Sequence, residues 1–379
     1  MKVAIVHDYI KEYGGAERVL EALHEIWPKA TVFTSVFLPE YLGPHKNRFM
    51  NWKIKTSFFQ NIPFREKLIS PMRIFGRTIF EHWDFSQFDA VIVSATGAYI
   101  PNLIRKKTNG LHICYCHTPP RYLYGYPTAR NWTKTMMGRM AGGMVNHKMR
   151  LIDFEAGQRV DFFIANSNEV KRRIKKFYRR EATVIYPPVE MADKMKEARY
   201  REQDTNKSYY LAGGRLARAK HIDLVIEAAN KMKFNLKIFG KAFAGYDKEL
   251  KSMAGPTVEF VGEVGDEELV DLYENSRALI YPSEYEDFGI MPIEAQAFGK
   301  GVVAFRQGGV KESVIEGKTG VFFDQLTTDD LISAIKRLER NKLKPEDCIE
   351  NARKFTKERF KREILKFVNS KMQEIKKNA

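Results

Sequence analysis

The stretch ALIYPSEYEDFGIMPIE, residues 278–294, joins an apolar strand to a helix through an acidic loop. Its first four residues favour a buried strand, and Pro292 suits the first turn of a helix because it has no amide hydrogen to leave unpaired. A strand that leads into a helix is the repeating unit of a parallel sheet. The stretch therefore predicts an α/β fold with this loop at the carboxyl end of its strand, where such sheets bind ligands.

Similar strand-to-helix units extend in both directions along the chain. Candidate strands in the first half are 2–6, 31–36, 90–94, 111–116, 162–165 and 183–186. Those in the second half are 209–212, 236–239, 258–261, 278–281, 302–305 and 320–323. Each half is therefore expected to carry its own parallel sheet.

A chain of 379 residues is too long for one hydrophobic core, and a domain boundary is visible near its middle. Pro187 and Pro188 force extended backbone, and a charged stretch follows to residue 208. We assign residues 1–188 and 189–355 to two domains. A basic amphipathic helix is expected over 346–376, and the C-terminal helical segment 356–379 can pack back on the first domain.

The composition indicates a folded protein with an excess of positive charge in its first half. Residues 1–190 hold 29 Lys and Arg against 16 Asp and Glu, a net charge of +13, whereas the remainder carries only +3. Nucleic acid, an anionic membrane and a phosphorylated acceptor all fit such charge. Three cysteines do not suggest a disulfide framework, and no apolar run reaches the ~18 residues of a membrane span, so we expect a cytoplasmic protein.

Two glutamates in the opening stretch are candidates for binding hydroxyl groups. Glu286 falls in the loop and Glu294 early in the helix, so both are expected to face the same crevice. An ionised carboxylate accepts several strong hydrogen bonds, which suits the hydroxyls of a sugar or a ribose. Gly289 lets a ligand approach the backbone, and the amides of Ile290 and Met291 lie at a helix N-terminus, where a phosphate is favoured.

Basic residues follow the first strand of the second half. In the sequence GGRLARAK, residues 213–220, Arg215 offers a planar guanidinium and Lys220 a compact ammonium. Both groups can neutralise phosphate oxygens, so the pair is a candidate diphosphate site. No Asp-x-Asp pair occurs in the chain to hold a metal against a diphosphate. We therefore expect neutralisation by these cations and a helix terminus, without a metal.

The first half contains a glycine pair and a strand-end histidine. Gly14 and Gly15 follow the first strand, where glycine permits positive φ and close approach to a ligand. His117 directly follows another strand and is a candidate site residue. Cys114 and Cys116 in that strand are interpreted as buried thiols, because no second Cys or His pair stands at zinc spacing.

These motifs resemble those of glycosyltransferase family 4, and the resemblance extends through most of the chain. Glu286 and Glu294 match the family's E-x7-E motif. Arg215 and Lys220 match its G-R-x4-K element, with His221 where a glycine often follows. That departure leaves the shape of the loop open.

The resemblance implies a GT-B fold, in which two Rossmann-like domains face each other across a cleft. It places the nucleotide-sugar donor in the second domain and the acceptor in the first. It further implies that Glu286 contacts the transferred sugar and Glu294 the donor ribose, and that His117 lies beside that sugar. Gly14 and Gly15 would lie against the donor diphosphate.

Within this family, the chain is most similar to GDP-mannose-dependent mannosyltransferases of O-antigen and surface polysaccharide synthesis. The similarity rests on HDY at 7–9, HTPPRY at 117–122 and the segment 260–309. It implies retaining transfer of mannose to a lipid-linked or polysaccharide acceptor, without a cofactor. Glu263 and Val264 stand where the base could lie. A UDP-sugar donor remains an alternative, as does a non-catalytic protein that binds a nucleotide or nucleic acid, although no nucleic-acid motif is present.

Two apolar stripes in the first half are accompanied by basic residues. The first comprises Phe64, Leu68, Met72, Phe75 and Ile79, among Arg65, Lys67, Arg73 and Arg77. The second comprises Trp132, Met136, Met140 and Met144, among Arg130, Lys134, Arg139 and Lys148. Each stripe alone fits a core-facing helix. Together with the positive charge, they favour peripheral attachment to the anionic inner face of the cytoplasmic membrane.

Overall fold

The computed structural model describes residues 1–126, 136–190, 209–243 and 245–378, and it divides the chain into two compact units. Unit 1 comprises Met1–Pro188 and Glu358–Ala379, and unit 2 comprises Val189–Lys357. Each unit contains its own parallel sheet. The predicted α/β class with two Rossmann-like domains is confirmed.

Unit 1 is built around a seven-stranded sheet. The described residues of unit 1 contain nine strands, seven of which form this sheet: β1 (Val3–His7), β2 (Thr31–Thr34), β3 (Ile54–Thr56), β4 (Asp84–Phe85), β5 (Ala90–Ala95), β6 (Arg105–Lys106), β7 (Leu111–Cys116), β8 (Phe162–Ala165) and β9 (Ala182–Val184). The sheet has the order β3-β2-β1-β5-β7-β8-β9 and is parallel throughout, while β4 and β6 form a separate pair. The strand order reverses between β1 and β5, which creates a crevice at their carboxyl ends.

Unit 2 repeats this plan with six parallel strands. They are β10 (Tyr209–Gly213), β11 (Leu236–Phe239), β12 (Val258–Gly262), β13 (Ser276–Tyr281), β14 (Gly301–Phe305) and β15 (Gly320–Phe323). Their order is β12-β11-β10-β13-β14-β15, so the reversal falls between β10 and β13. All twelve predicted strands are present, with ends shifted by at most two residues. The short strands β3, β4 and β6 were not predicted.

Helices cover both sheets. In chain order they are α1 (Gly15–Ile26), α2 (Arg65–Leu68), α3 (Gly76–Phe80), α4 (Met136–Gln158), α5 (Asn168–Tyr178), α6 (Ile222–Met232), α7 (Tyr246–Met253), α8 (Asp266–Glu274), α9 (Ile290–Ala297), α10 (Val310–Ser313), α11 (Thr328–Arg340), α12 (Pro345–Ala352) and α13 (Lys357–Asn378). Among the described residues, no helix is both long and apolar enough to cross a bilayer.

The central strands are apolar on both faces because each face lies against helices. In β1, Ile5 joins a core cluster that includes residues of α1 and α13, whereas Val6 joins the cluster on the opposite face. Such continuous burial is typical of parallel sheets. Cys114 and Cys116 are 0% and 2% exposed, as expected for buried thiols.

The C-terminal helix differs from the expected continuous element. Helix α12 ends at Ala352, a short 3-10 turn covers Arg353–Phe355, and α13 begins only at Lys357. Thr356 between them is extended, with φ −64° and ψ 155°. Phe355 is buried in unit 2, where its carbonyl accepts a hydrogen bond from the Val189 amide at 2.8 Å. The chain leaves the helical path there because it passes from unit 2 back to unit 1.

The first apolar stripe is not one amphipathic helix. It is divided into α2, a 3-10 turn over Pro71–Phe75, and α3. Met72 and Ile79 belong to the core of unit 1, whereas Phe64 and Phe75 are 71% and 46% exposed.

The second stripe falls largely outside the described residues. Trp132 lies in the gap between 126 and 136, and the side chains of residues 136–141 are also not described. Met144, which is described, is 76% exposed.

Three glycines allow the loops after β10, β11 and β12 to pack closely. Gly240, with φ +119°, donates a hydrogen bond to the Gly262 carbonyl at 2.6 Å. A Cβ on Gly240 would lie 1.8 Å from the carbonyl oxygen of Gly214. A side chain at this position is therefore excluded by backbone that cannot move aside.

Gly240→Ala should lower the free energy of unfolding by ~3 kcal/mol or more, because a steric clash adds to left-handed strain. Gly262→Ala is the matched control, since Gly262 has φ +93° and a methyl group added there would have nothing within 4 Å. It should cost only ~1–2 kcal/mol. Urea denaturation of both variants measures the difference, and equal losses would contradict the role of the close approach.

Candidate functional site

The two loops that carry the candidate residues of unit 2 are joined directly. Strands β10 and β13 are neighbours across the reversal of strand order, so their carboxyl ends are adjacent. The Glu284 amide after β13 donates a hydrogen bond to the Ala219 carbonyl after β10, at 2.9 Å. This bond aligns the Arg215–Lys220 loop with the acidic loop.

Glu286 and Lys220 form the centre of this site. The Lys220 ammonium lies 2.5 Å from Glu286 Oε2, and the two side chains are 25% and 16% exposed. The same oxygen accepts hydrogen bonds from the hydroxyls of Tyr281 and Ser283, each at 2.7 Å. Burial, together with the charge of Glu286, raises the pKa of Tyr281 well above its usual value, so the phenol keeps the proton that it donates. Three donors thus fix one carboxylate at the edge of the crevice.

A glycine loop and a helix N-terminus meet beside this pair. Gly214 has φ +95°, and a Cβ there would lie 3.0 Å from the Met291 sulfur. Gly289 precedes α9 with φ +88°, so Ile290 and Met291 provide the first amides of that helix. Arg215 is exposed and stacks 5.5 Å from the Phe243 ring centroid. The structure therefore brings together the elements expected to bind a diphosphate.

Two further residues of this loop have defined positions. The guanidinium of Arg218 donates a hydrogen bond to Glu249 at 3.0 Å and lies 4.6 Å from the Tyr246 ring centroid. His221 adopts φ +46°, the left-handed region that glycine enters at no steric cost. Its ring nitrogen is 3.3 Å from Glu284 Oε2. The histidine therefore keeps a backbone shape that suits glycine.

Three further residues expected to bind the donor are buried or have protein partners. Glu294 is 1% exposed and accepts a hydrogen bond from the Tyr273 hydroxyl at 2.8 Å, so it is buried and not, as expected, open to the crevice. Glu263 forms an ion pair with Lys241 at 3.3 Å, and Val264 is 8% exposed. Their proposed contacts with ribose and base stay predictions.

The candidate residues of unit 1 lie at the carboxyl ends of its central strands. His117 follows β7 and is 9% exposed, and its ring nitrogen Nε2 is 2.9 Å from the Ser94 hydroxyl of β5. Gly14 precedes α1 with φ −143°, which any residue can adopt. The positive φ that glycine permits is therefore not used at this position. Its amide donates to Glu17 Oε2 at 2.9 Å, and this bond caps the helix.

Asp8 occupies the reversal point of the unit 1 sheet and was not predicted as a site residue. It is fully buried, and its Oδ2 accepts hydrogen bonds from the amides of Thr96 and Ala98, both at 3.0 Å. These bonds connect the end of β1 to the turn after β5. A charged residue directly after an apolar strand, in the sequence AIVHD, was the signal that could have identified it.

Comparison with known families agrees with this geometry. Residues 13–193 match the model described as Glycosyltransferase Family 4, and residues 193–355 match the model described as glycosyl transferases group 1. The two matches adjoin and together span residues 13–355, most of both units. The chain belongs to the GT-B glycosyltransferases.

Several proteins are similar to this glycosyltransferase in sequence. An uncharacterized glycosyltransferase of Methanocaldococcus jannaschii is 28% identical over 52% of the chain, and the match spans 55% of that relative's length. An alpha-1,3/1,6-mannosyltransferase of Schizosaccharomyces pombe is 25% identical, covering 84% of the chain and 70% of that relative.

Solved structures show the same fold. The sucrose-phosphate synthase of Thermosynechococcus elongatus superposes with a TM-score of 0.70 at 16% identity, over 98% of this chain and 99% of its own. The HepE protein of Anabaena, solved with UDP, superposes with a TM-score of 0.66 at 16% identity, over 98% and 100%. At these identities the likeness concerns the fold alone.

Further side chains contact the candidate site residues, and the motifs did not reveal them. Tyr281 and Ser283 hold Glu286, and both stand within five residues of it in the sequence. Alternation along β13 could have suggested that Tyr281 lies near the loop. In contrast, Ser94 contacts His117 from the neighbouring strand, and His7 contacts Ser94 in turn. Neither contact has a local signal in the sequence.

Proposed function

We propose that this protein is a retaining mannosyltransferase, which transfers mannose from GDP-mannose to a lipid-linked or polysaccharide acceptor of surface polysaccharide synthesis. The Lys220–Glu286 contact beside the Gly214 loop and the α9 N-terminus carries the proposal. It provides a cation for a diphosphate and a carboxylate for sugar hydroxyls within one small region. The choice of mannose is supported by the similarity to the mannosyltransferase of Schizosaccharomyces pombe, which extends over most of the chain.

The reaction requires stabilisation of a departing nucleoside diphosphate. The bond between the anomeric carbon and the phosphate oxygen breaks, and its electron pair stays on the diphosphate. Arg215, Lys220 and the first amides of α9 are suited to bind the negative charge that develops there. The acceptor oxygen bonds to the anomeric carbon on the face just vacated, which retains the configuration. Its proton passes to a leaving phosphate oxygen, so the step needs neither a carboxylate nucleophile nor a metal.

The donor is tested by measuring transfer with GDP-mannose, GDP-fucose, UDP-glucose and UDP-galactose, in buffer with and without EDTA. We expect the highest kcat/KM with GDP-mannose and no loss on chelation, because protein cations neutralise the diphosphate. Faster transfer from either UDP-sugar would contradict the assigned donor. Loss of activity with EDTA and recovery with magnesium or manganese would contradict the metal-independent mechanism.

Lys220→Ala should weaken GDP binding by ~1–3 kcal/mol, the contribution of a hydrogen bond to a charged group. Arg218→Ala is the matched control, because Arg218 lies in the same loop but pairs with Glu249. Glu286→Ala should lower kcat about 100-fold or more with GDP still bound, since it acts on the sugar. Titration calorimetry and initial rates measure these effects. Equal GDP affinity in all variants would place the diphosphate elsewhere.

Exposed apolar residues in unit 1 support attachment to a membrane. Phe64, Ile74 and Phe75 are 71%, 55% and 46% exposed, within one segment that also contains the exposed Lys67. Apolar side chains beside cations favour the headgroup region of an anionic bilayer. Arg77 contributes less than the sequence suggested, because it pairs with Glu81 and Glu155.

The double variant Ile74→Ser/Phe75→Ser should lose co-sedimentation with liposomes of phosphatidylglycerol and phosphatidylcholine. The wild type should bind these liposomes at low salt, bind pure phosphatidylcholine weakly, and be released at high salt, where charges are screened. Leu365→Ser on α13, where Leu365 is 42% exposed, is the control and should bind like the wild type. Identical sedimentation of the double variant and the wild type would contradict this membrane surface.

A further inference from the structure

Four buried polar side chains form a line through unit 1 and end at His117. The Nε2 atom of His7 is 3.6 Å from Glu17 Oε1, and its Nδ1 atom is 3.1 Å from the Ser94 hydroxyl. Ser94 lies in turn 2.9 Å from His117 Nε2. The residues His7 and Ser94 are fully buried, while Glu17 and His117 are 5% and 9% exposed. We call Glu17, His7 and Ser94 the relay.

The carboxylate sets the polarity of the relay. At 3.6 Å, Glu17 does not form a hydrogen bond with His7, and no other group in the described part of the chain binds His7 Nε2. A buried carboxylate oxygen at this distance attracts an N–H dipole and repels a nitrogen lone pair, and low local polarity strengthens both effects. In the neutral form of the His7 ring, the proton therefore lies on Nε2.

The proton positions of the next two groups follow. Because His7 Nδ1 then has a lone pair, it accepts the Ser94 hydroxyl proton. The Ser94 oxygen in turn accepts a hydrogen bond from His117 Nε2–H. Burial, and to a smaller extent the proximity of His7, lowers the pKa of His117 to about 3, so its ring is neutral and Nδ1 carries a lone pair.

The remaining polar groups of His117 have protein partners. Its backbone amide donates a hydrogen bond to the Ala95 carbonyl at 2.9 Å, and its backbone carbonyl accepts a hydrogen bond from Asn166 Nδ2 at 3.0 Å. Within the described residues, Nδ1 is the polar atom of His117 that receives no hydrogen bond. It belongs to a residue that is 9% exposed and lies at the carboxyl edge of the sheet, where α/β proteins bind ligands. A lone pair there suits a group that donates, such as a sugar hydroxyl.

We propose that Glu17, His7 and Ser94 are positioning residues that hold His117 in its Nε2–H tautomer, so that Nδ1 accepts a hydrogen bond from a hydroxyl of the transferred sugar. This assignment rests on the proposed function, because that function supplies the sugar. The relay itself is a property of unit 1 and can be measured without turnover.

Two variants alter the relay in different ways. In Glu17→Gln, the side-chain carbonyl can still accept from the Gly14 amide, as Oε2 does now at 2.9 Å. The new amide group then points towards His7 and donates to Nε2, which reverses every proton position and leaves His117 with Nδ1–H. Ser94→Ala removes the hydroxyl and uncouples the two rings. Glu21→Gln is the matched control, because Glu21 lies on the same helix and binds Arg48 instead.

The test is nitrogen NMR of protein labelled with 15N-histidine, assigned with a His117→Gln variant. In the wild type and in Glu21→Gln, we expect His117 to carry its proton on Nε2 and none on Nδ1. In Glu17→Gln, the proton should lie on Nδ1 instead. In Ser94→Ala, both tautomers of His117 should be present. Saturating GDP-mannose should shift the Nδ1 resonance of the wild type. Transfer by Glu17→Gln and Ser94→Ala should fall about tenfold, the effect of losing one good hydrogen bond, while Glu21→Gln keeps wild-type rates.

Several results would overturn the proposal. One is an Nδ1–H tautomer of His117 in the wild type, which would mean that the relay has the opposite polarity. Another is a His117 tautomer that both relay variants leave unchanged, and a third is an Nδ1 resonance that does not respond to the donor. Failure of the wild type to transfer sugar from any donor would instead overturn the proposed function, since the tautomers are read without turnover.

Discussion

The candidate site of unit 2 depends on the parallel alignment of β10 and β13, the strands between which the sheet changes direction. Successive strands run outward from β10 on one side and from β13 on the other, so no intervening strand separates the loops that follow them. The hydrogen bond from Glu284 to Ala219 then fixes the distance between those loops. The backbone thus sets the spacing between the two loops that allows the Lys220 ammonium to contact the Glu286 carboxylate.

The Lys220–Glu286 ion pair carries a cost in desolvation free energy, which must be offset by other contacts. Removing a carboxylate and an ammonium from water costs free energy that their attraction recovers only with good geometry and further hydrogen bonds. Tyr281 and Ser283 supply those bonds to Glu286. In contrast, the side chains of the Arg218–Glu249 pair are 66% and 48% exposed, and this pair contributes little to stability. Of these two ion pairs, the one at the crevice is partly buried and the other is exposed to solvent.

The sequence allowed the sheets to be predicted because buried parallel strands are short apolar runs, which a single chain displays directly. It did not allow β3 to be predicted, since three residues with partial burial carry almost no pattern. The apolar spacing through Phe355 suggested one helix, but the extended Thr356 interrupts it where the chain changes units. Spacing alone could not tell that Glu294 turns inward, because the rotation of a helix about its axis depends on packing. The Ser94–His117 contact joins residues 23 positions apart on neighbouring strands, and only the register of β5 and β7 reveals it.

The return of α13 to unit 1 has a consequence for biosynthesis. Its residues Phe360, Ile364 and Val368 complete the core face that also contains Val3 and Ile5, although more than 350 positions separate the two groups in the chain. While the ribosome is still making unit 2, that face of the first sheet lacks the part of its cover that α13 provides, although α1 already lies against it. Domains usually fold in the order in which they emerge. Here the second unit has all of its residues first, because the core of the first unit is completed only after α13 has been synthesised.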